Sequence, residues 1–314
     1  MSEELSETRG AAANGIVAVI DGITDDARAD LGSPVEIDRA RVIPAVHELP
    51  LEKTQDGKFR WRRIEDASVV ATDLKSSTAV SYSTQDRVGA RLYQASTGNC
   101  ARVLNEFTPD FVDIQGDGLF AIFSGERHPE RAMCAVISLN SFGHRLRRML
   151  REQFGEAVPE MKESGLKIGA DRGLLLVKRI GVRGDHNEPV WAGKPVNYAT
   201  KCAHSADARE VIVTSRFFRD FRDNEFVRFS CGCVEGEPGK EVVPLWRPTT
   251  IDTLGEDDAN VRELRSAWCK NCGTKFCRAI LQGEEDRVGL NTGPLKKWRE
   301  DSADEAQETG RAAA

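Results

Sequence analysis

The sequence contains no run of about 18 apolar residues, so nothing in it reads as a membrane-spanning helix. It also lacks an excess of basic charge: 44 Lys and Arg stand against 50 Asp and Glu, for a formal net charge of −6. A general nucleic-acid binder ordinarily carries a basic face, so this balance argues against nucleic acid as a partner. It leaves a nucleotide site open, because a bound cation can supply positive charge locally. The first residues, MSEELSETRG, have neither the basic n-region nor the apolar h-region of a secretory signal, and the expectation is a cytoplasmic chain. In that reducing setting the eight cysteines read as free thiols or metal ligands rather than disulfides. No internal repeat is present.

What is there suffices for a buried core: 40% of the 314 residues are hydrophobic and 30% charged. The length allows two compact domains, or one with sizeable extensions. Residues 1–65, with a short apolar run at 15–23, read as an N-terminal extension with helical pieces. The β-branched run Ala67-Ser68-Val69-Val70-Ala71-Thr72-Asp73 reads as a buried strand. A polar turn, Lys75-Ser76-Ser77-Thr78, then opens a long helix of roughly 25–30 residues, with Val80, Val88, Leu92, Ala95, Val103 and Leu104 on a loose apolar face. Two apolar runs around Gly116-Asp117-Gly118 read as a hairpin. Residues 129–154 are a helix, 166–180 a strand, 193–205 a helix and 211–213 a strand. Residues 226–231 and 241–246 are expected to pair as a second hairpin. The order indicates a mixed α/β domain over residues 66–250, followed by a small cysteine-containing segment at 251–284 that packs with 226–250, and a disordered tail at 285–314.

The chemistry-bearing residues begin with two aspartates. Asp73 ends a buried-type strand and Asp117 sits at a hairpin tip. Hard cations such as Mg²⁺ or Mn²⁺ take carboxylate and phosphate oxygens, and two carboxylates on adjacent strand ends suit a two-ion site. Gly116 and Gly118 would let a triphosphate come close to the backbone, and the turn at residues 75–78 leads into a helix whose first N–H groups attract phosphate. Taken singly, each feature has a plainer reading. An aspartate before Ser-Ser-Thr is most often a cap, and Gly-Asp-Gly is most often only a turn.

Their ordered company resembles one family. The segment Val69-Val70-Ala71-Thr72-Asp73-Leu74-Lys75-Ser76-Ser77-Thr78 is similar to the first metal-binding motif of the class III adenylate and guanylate cyclases. Gln115-Gly116-Asp117-Gly118-Leu119-Phe120-Ala121-Ile122-Phe123 is similar to the second. Gly193-Lys194-Pro195-Val196-Asn197-Tyr198-Ala199-Thr200-Lys201 resembles the family's Gly-x-x-Val-Asn-x-Ala-x-Arg helix, and residues 208–217 resemble the strand and Ser turn that follow. The resemblance implies a ferredoxin-type α+β core with helices on a mixed sheet, and a head-to-tail homodimer with interfacial active sites. Asp73, Asp117 and the backbone carbonyl of Leu74 would hold two Mn²⁺ or Mg²⁺ ions. Lys75, Ser76, Ser77, Thr78 and Gly116 would meet a nucleoside triphosphate. The partner's helix would bring the equivalents of Asn197, to orient the ribose, and Lys201. Those two are four apart and so share a helix face. Lys201 stands where the family usually has Arg, offering a point charge rather than a planar fork.

The base-reading positions depart from the purine cyclases. Four residues before Asp117, where those enzymes commonly carry Lys, this chain has Asp113; seven before Asn197, where they commonly carry Asp or a similar polar residue, it has Val190. The whole chain resembles the pyrimidine nucleotide cyclases of the bacterial Pycsar anti-phage system. That implies a cyclic UMP or cyclic CMP product, UTP being favoured over CTP, and a separate effector that senses the product. Arg60 and Trp61, with Phe59, could stack on a small base or form a surface patch. The alternatives are an adenylate cyclase with an unusual pocket and a silent nucleotide-binding sensor. Finally, Cys231-Gly232-Cys233 and Cys269-Lys270-Asn271-Cys272 form a C-x-C and C-x-x-C pair. Cys231, Cys233, Cys269 and Cys272 suit tetrahedral Zn²⁺, or are small buried hydrophobes. Residues 264–283 also resemble a sensor-like module appended to some defence cyclases. Cys100, Cys134 and Cys202 lie in apolar helical contexts and are expected in the core.

Overall fold

The structure, a computed structural model, describes residues 2–50, 58–78, 80, 86–154, 158–181, 187–233, 241–290, 293 and 295–301, with side chains from residue 15 onward. The chain divides into two compact units. The first comprises Met1–Arg39, Val46–Arg63 and Val177–Val190. It holds helix α1 (Ser2–Gly32) and strand β1 (Val35–Ala40), which pairs with β2 (Phe59–Lys75). Arg60 bonds Glu36 at 3.1 Å and Arg62 bonds Asp38 at 3.2 Å across this pair. Strand β6 (Asn187–Ala192) pairs back on β5 (Gly165–Gly181), and Arg179 donates its amide to the Pro50 carbonyl at 2.9 Å and its guanidinium to the Leu49 carbonyl at 3.2 Å; residues 177–190 group with the N-terminal segments, whereas the sequence reading put them in the catalytic domain.

The second unit comprises Ala40–Ala45, Ile64–Leu176 and Trp191–Ala314. Its sheet runs β3-β4-β2-β5-β7-β9-β8. Here β3 is Phe111–Gln115, β4 Gly118–Ser124, β7 Glu210–Thr214, β8 Trp246–Thr250 and β9 Asn260–Leu264. β4 lies antiparallel between β3 and β2, while β5 and β7 are parallel. The side-chain alternation of a strand sorts the apolar residues onto two faces. Val70, Leu119, Ala121 and Phe123 face a core shared with α4 (His128–Phe154). Val69, Ala71, Phe120 and Ile122 face a second cluster completed by Ala199 and Ala203 of α5 (Lys194–Ser205). This mixed sheet with helices on both faces is the expected α+β core. Cys100, Cys134 and Cys202 are buried in it.

Four expectations differ from the structure. The single long helix after residue 78 is α2 (Asp86–Tyr93), a π-helical turn (Gln94–Gly98) and α3 (Asn99–Asn105); residues 79 and 81–85 lie outside the described ones. The hydroxyl of Ser96 donates to the Leu92 carbonyl, four residues back, and the Asn99 amide donates to Ala95, competition that favours a widened turn. The second hairpin does not form as drawn. Residues Glu225–Arg228 make a helical turn capped by Asn224, whose side chain accepts from the Val227 amide, and among the described residues the pairing is confined to a bridge at Phe229 and Pro244, flanked by the Ser230 amide donating to the Val243 carbonyl and the Leu245 amide to the Arg228 carbonyl. Trp246 instead opens β8, antiparallel to β9, so part of the segment expected as a separate C-terminal module is a strand of the central sheet. In the stretch expected as a tail, Leu295 is buried against Phe229 and Val242, and Arg299 bonds the fully buried Glu225 at 2.8 Å. Residues 302–314 of that stretch lie outside the described residues.

Candidate active site

Strand pairing builds the site. The register sets Thr72 opposite Leu119, so Asp73 and Asp117 fall at neighbouring strand ends of β2 and of the β3–β4 turn. The two glycines serve distinct needs. Gly116 takes the left-handed conformation, φ +66°, which the tight turn demands. A Cβ on Gly118 would meet the Thr72 carbonyl at 2.9 Å and lie 4.0 Å from Asp73 Oδ1, so glycine lets the turn close onto β2. The sequence reading assigned that closeness to a triphosphate; at Gly118 the near neighbour is backbone.

Both carboxylates are tethered. Lys167 of β5 places Nζ 2.9 Å from Asp73 Oδ2, with both side chains mostly buried. The hydroxyl of Ser77 donates to Asp117 Oδ2, and Thr97, carried by the π-helical turn, donates to the Asp117 carbonyl at 3.2 Å. Ser76 has φ +66°, an uncommon geometry for a residue with a side chain, and functional sites are where such strain collects. Lys75 forms an ion pair with Asp207, and that contact, with the Ala208 amide, holds the Asp207 carboxyl below its usual range. Leu74 points its side chain into the core. Thr78 is exposed at the start of the following turn.

A cavity of about 170 Å³ lies at these strand ends, lined by Asp73, Asp117, Gly118 and Phe120 and, from α5, by Thr200, Ala203 and His204. Asn197 and Lys201 do not line it: both are exposed on α5, Asn197 donating to the Gly193 carbonyl at 3.3 Å and Lys201 lying 5.7 Å from the Tyr198 ring centre. Asp113 accepts a 2.8 Å bond from Gln115. Val190 is 40% exposed. Arg60 is engaged with Glu36 and Asp38, and Trp61 is half-buried beside it in sequence. Sequence reasoning missed Lys167, Thr200 and His204. A lone lysine inside the apolar run Leu166-Lys167-Ile168 was the available signal, since a charged residue in a buried strand needs a partner.

The packing of α5 on the sheet is unusually close. A Cβ on Gly169 of β5 would stand 2.0 Å from the Ala199 carbonyl oxygen and 2.4 Å from the Ala203 nitrogen. The helix is also held through Asp171, fully buried, which takes two bonds from Arg216 and one from the Thr214 hydroxyl. Burial pushes the Asp171 carboxyl up, opposed by the guanidinium. Arg216 in turn stacks 4.9 Å from the Tyr198 ring of α5.

Away from these strand ends, Cys231, Cys233, Cys269 and Cys272 bring their sulfurs within 4.8 Å of one another. Cys277 stands apart, beside Cys134 and Ser138.

Comparison with known proteins places these features. No family model matches the chain. The adenylyl cyclase CyaB from P. aeruginosa superposes with a TM-score of 0.52 at 14% identity, over 66% of this chain and 96% of that one. The fold is therefore that of the class III nucleotidyl cyclases. A uridylate cyclase from Propioniciclava tarda is 39% identical over 246 residues, 76% of this chain and 78% of the relative. Another from Micromonospora echinofusca is 36% identical over 295 residues, 90% of this chain and 91% of the relative. The chain belongs to the uridylate cyclase family. Among the described residues, no helix is long and apolar enough to cross a membrane.

Proposed function

We propose that this chain converts UTP to 3′,5′-cyclic UMP and pyrophosphate. The observation that carries the reading is the pairing of Asp73 and Asp117 on adjacent strand ends beside a cavity, in a chain of this family. Two hard carboxylates suit divalent cations, and the ammonium of Lys167 already sits where Asp73 attracts positive charge. Asp73, Asp117 and the Leu74 carbonyl would hold two Mn²⁺ or Mg²⁺ ions, which when bound would activate the ribose 3′ hydroxyl and offset the triphosphate charge.

The remaining work falls to the chain's own groups. The 3′ oxygen attacks the α-phosphorus, the bond to the bridging oxygen breaks, and pyrophosphate leaves. Lys75, Ser76, Ser77 and Thr78 lie where the triphosphate would run. Asn197 and Lys201 are exposed in the protomer, which suits donation to a partner's site in a head-to-tail homodimer: Asn197 orienting the ribose, Lys201 opposing charge on the α-phosphate. Asp113, which replaces the purine-reading lysine, is the proposed base-side residue. A pyrimidine cyclic nucleotide made this way would act on a separate effector in anti-phage defence, as the family resemblance implies.

The test is product identification by mass spectrometry after incubating the purified chain and Mn²⁺ with UTP, CTP, ATP and GTP together. Cyclic UMP with pyrophosphate is expected. Cyclic AMP as the main product would overturn the pyrimidine reading, and nucleotide binding without pyrophosphate release would establish a silent sensor. Asp73→Ala and Asp117→Ala should each cut turnover by at least roughly 10³-fold with the fold intact.

A further inference from the structure

We infer that Cys231, Cys233, Cys269 and Cys272 form a tetrathiolate zinc site that clamps the segment after Phe229 to the start of helix α6 (Lys270–Gln282). It is independent of the nucleotide reading.

The geometry is specific. Four thiolates around Zn²⁺ at about 2.3 Å would stand roughly 3.8 Å from one another in a tetrahedron. Here Cys233 Sγ lies 3.3 Å from Cys272 Sγ and 3.4 Å from Cys269 Sγ, and all four sulfurs lie within 4.8 Å.

Each half is locally built to present two sulfurs. Gly232, between Cys231 and Cys233, has φ +64°, and a Cβ there would meet the Glu241 carbonyl at 2.2 Å. Only glycine lets this two-cysteine turn press against the returning strand segment. At the other half Cys269 caps α6, its sulfur accepting from the Cys272 amide at 3.4 Å. An N–H donated to a ligand sulfur is the kind of outer contact that fixes a metal ligand.

The surroundings also suit a dianionic centre, which four thiolates and one Zn²⁺ would make. Arg287, only 6% exposed, lines the same cavity of about 390 Å³ as Cys231 and Cys272. It donates to the Ser230 and Phe229 carbonyls at 2.7 and 3.0 Å, immediately before the first cysteine, and lies 4.3 Å from the Phe276 ring centre. A buried guanidinium is costly unless paired, and here it would balance the cluster while holding the backbone that carries it.

The test is elemental analysis of the full chain purified under reducing conditions from zinc-supplemented cells, with cobalt exchange as a spectroscopic readout. The expected result is about one zinc per chain. Cobalt should give an intense thiolate-to-metal charge-transfer band together with the visible bands of tetrahedral Co²⁺. Cys269→Ser and Cys272→Ser should lose most of the zinc, while Cys277→Ser retains it. A wild-type chain that carries no zinc and shows no sulfur-to-cobalt band would overturn the proposal whether or not the cysteine variants fold. So would loss of zinc from Cys277→Ser as complete as from Cys269→Ser.

Discussion

Replacing Gly169 by alanine should disable the enzyme far more than it destabilises it. The added methyl would stand 2.0 Å from the Ala199 carbonyl oxygen, where even a close carbon–oxygen contact needs about 3.3 Å. It would also press on the Ala203 nitrogen at 2.4 Å and the Cys202 Cβ at 2.9 Å. Two of these three obstacles are backbone atoms of α5, so no rotamer change relieves them. The helix must lift by roughly 1 Å, loosening Ala199, Cys202 and Ala203, all of them buried. Overpacking of this kind costs about 1–3 kcal/mol, partly offset by the ~0.5–1 kcal/mol that alanine gains over glycine in regular structure. Turnover is more sensitive, because a 1 Å error in a positioning element can cost on the order of 10²-fold. α5 carries Thr200 and His204 of the cavity and the proposed Asn197 and Lys201.

Two measurements separate the effects: pyrophosphate release from UTP with Mn²⁺, and the urea unfolding midpoint of the same preparation. Gly89→Ala is the control, since nothing lies within 4 Å of its Cβ position in α2. That variant should gain about 0.5–1 kcal/mol and keep its rate. Were Gly169→Ala to turn over at the wild-type rate, the contact would not be positioning α5, and the link drawn here between sheet packing and catalysis would fail.

If sites are completed across a homodimer, mixing inactive Asp73→Ala with inactive Asn197→Ala protein should restore activity to about a quarter of wild type, because half the dimers would carry one intact site; no recovery would place Asn197 in the same protomer's site or outside it. Arg299→Ala should cost about 1–3 kcal/mol by weakening compensation of the fully buried Glu225, whereas a residue in a disordered tail would change the urea midpoint hardly at all. Burial alone would raise the Asp66 carboxyl, but the Arg172 guanidinium at 2.8 Å and His128 hold it well below the usual range. A depressed carboxylate stabilises the fold above its unfolded pKa of about 3.9 and loses that contribution as pH falls further. Asp66→Asn should therefore flatten the acid limb of the stability profile below about pH 4, and parallel wild-type and variant curves would remove Asp66 as the cause.

How far the site could be read from sequence follows from the range of the interactions that make it. Asp73 and Asp117 were legible because each depends on its neighbours in sequence: a β-branched run before one, a Gly-flanked turn around the other. The C-x-C and C-x-x-C pairs were legible in the same way, and each knuckle is a local turn. What the local pattern could not carry was pairing at a distance. Trp246 opens β8 and pairs with Leu264 of β9, a strand that comes later in the chain than the segment near Cys231 expected to pair with it. Leu295 and Arg299 sit in a charged, unpatterned stretch, and only their contacts with Phe229, Val242 and Glu225 order it. Lys167 looked like a stray charge until β5 was set beside β2 in the strand order. The glycines make the point most sharply. In sequence Gly118 reads as a turn glycine and Gly169 as an ordinary strand glycine, yet each marks a place where another backbone comes closer than a methyl group allows. A strand glycine is thus a statement about a partner not yet identified, and in this protein the two partners are the Thr72 carbonyl next to Asp73 and the helix that bears Asn197.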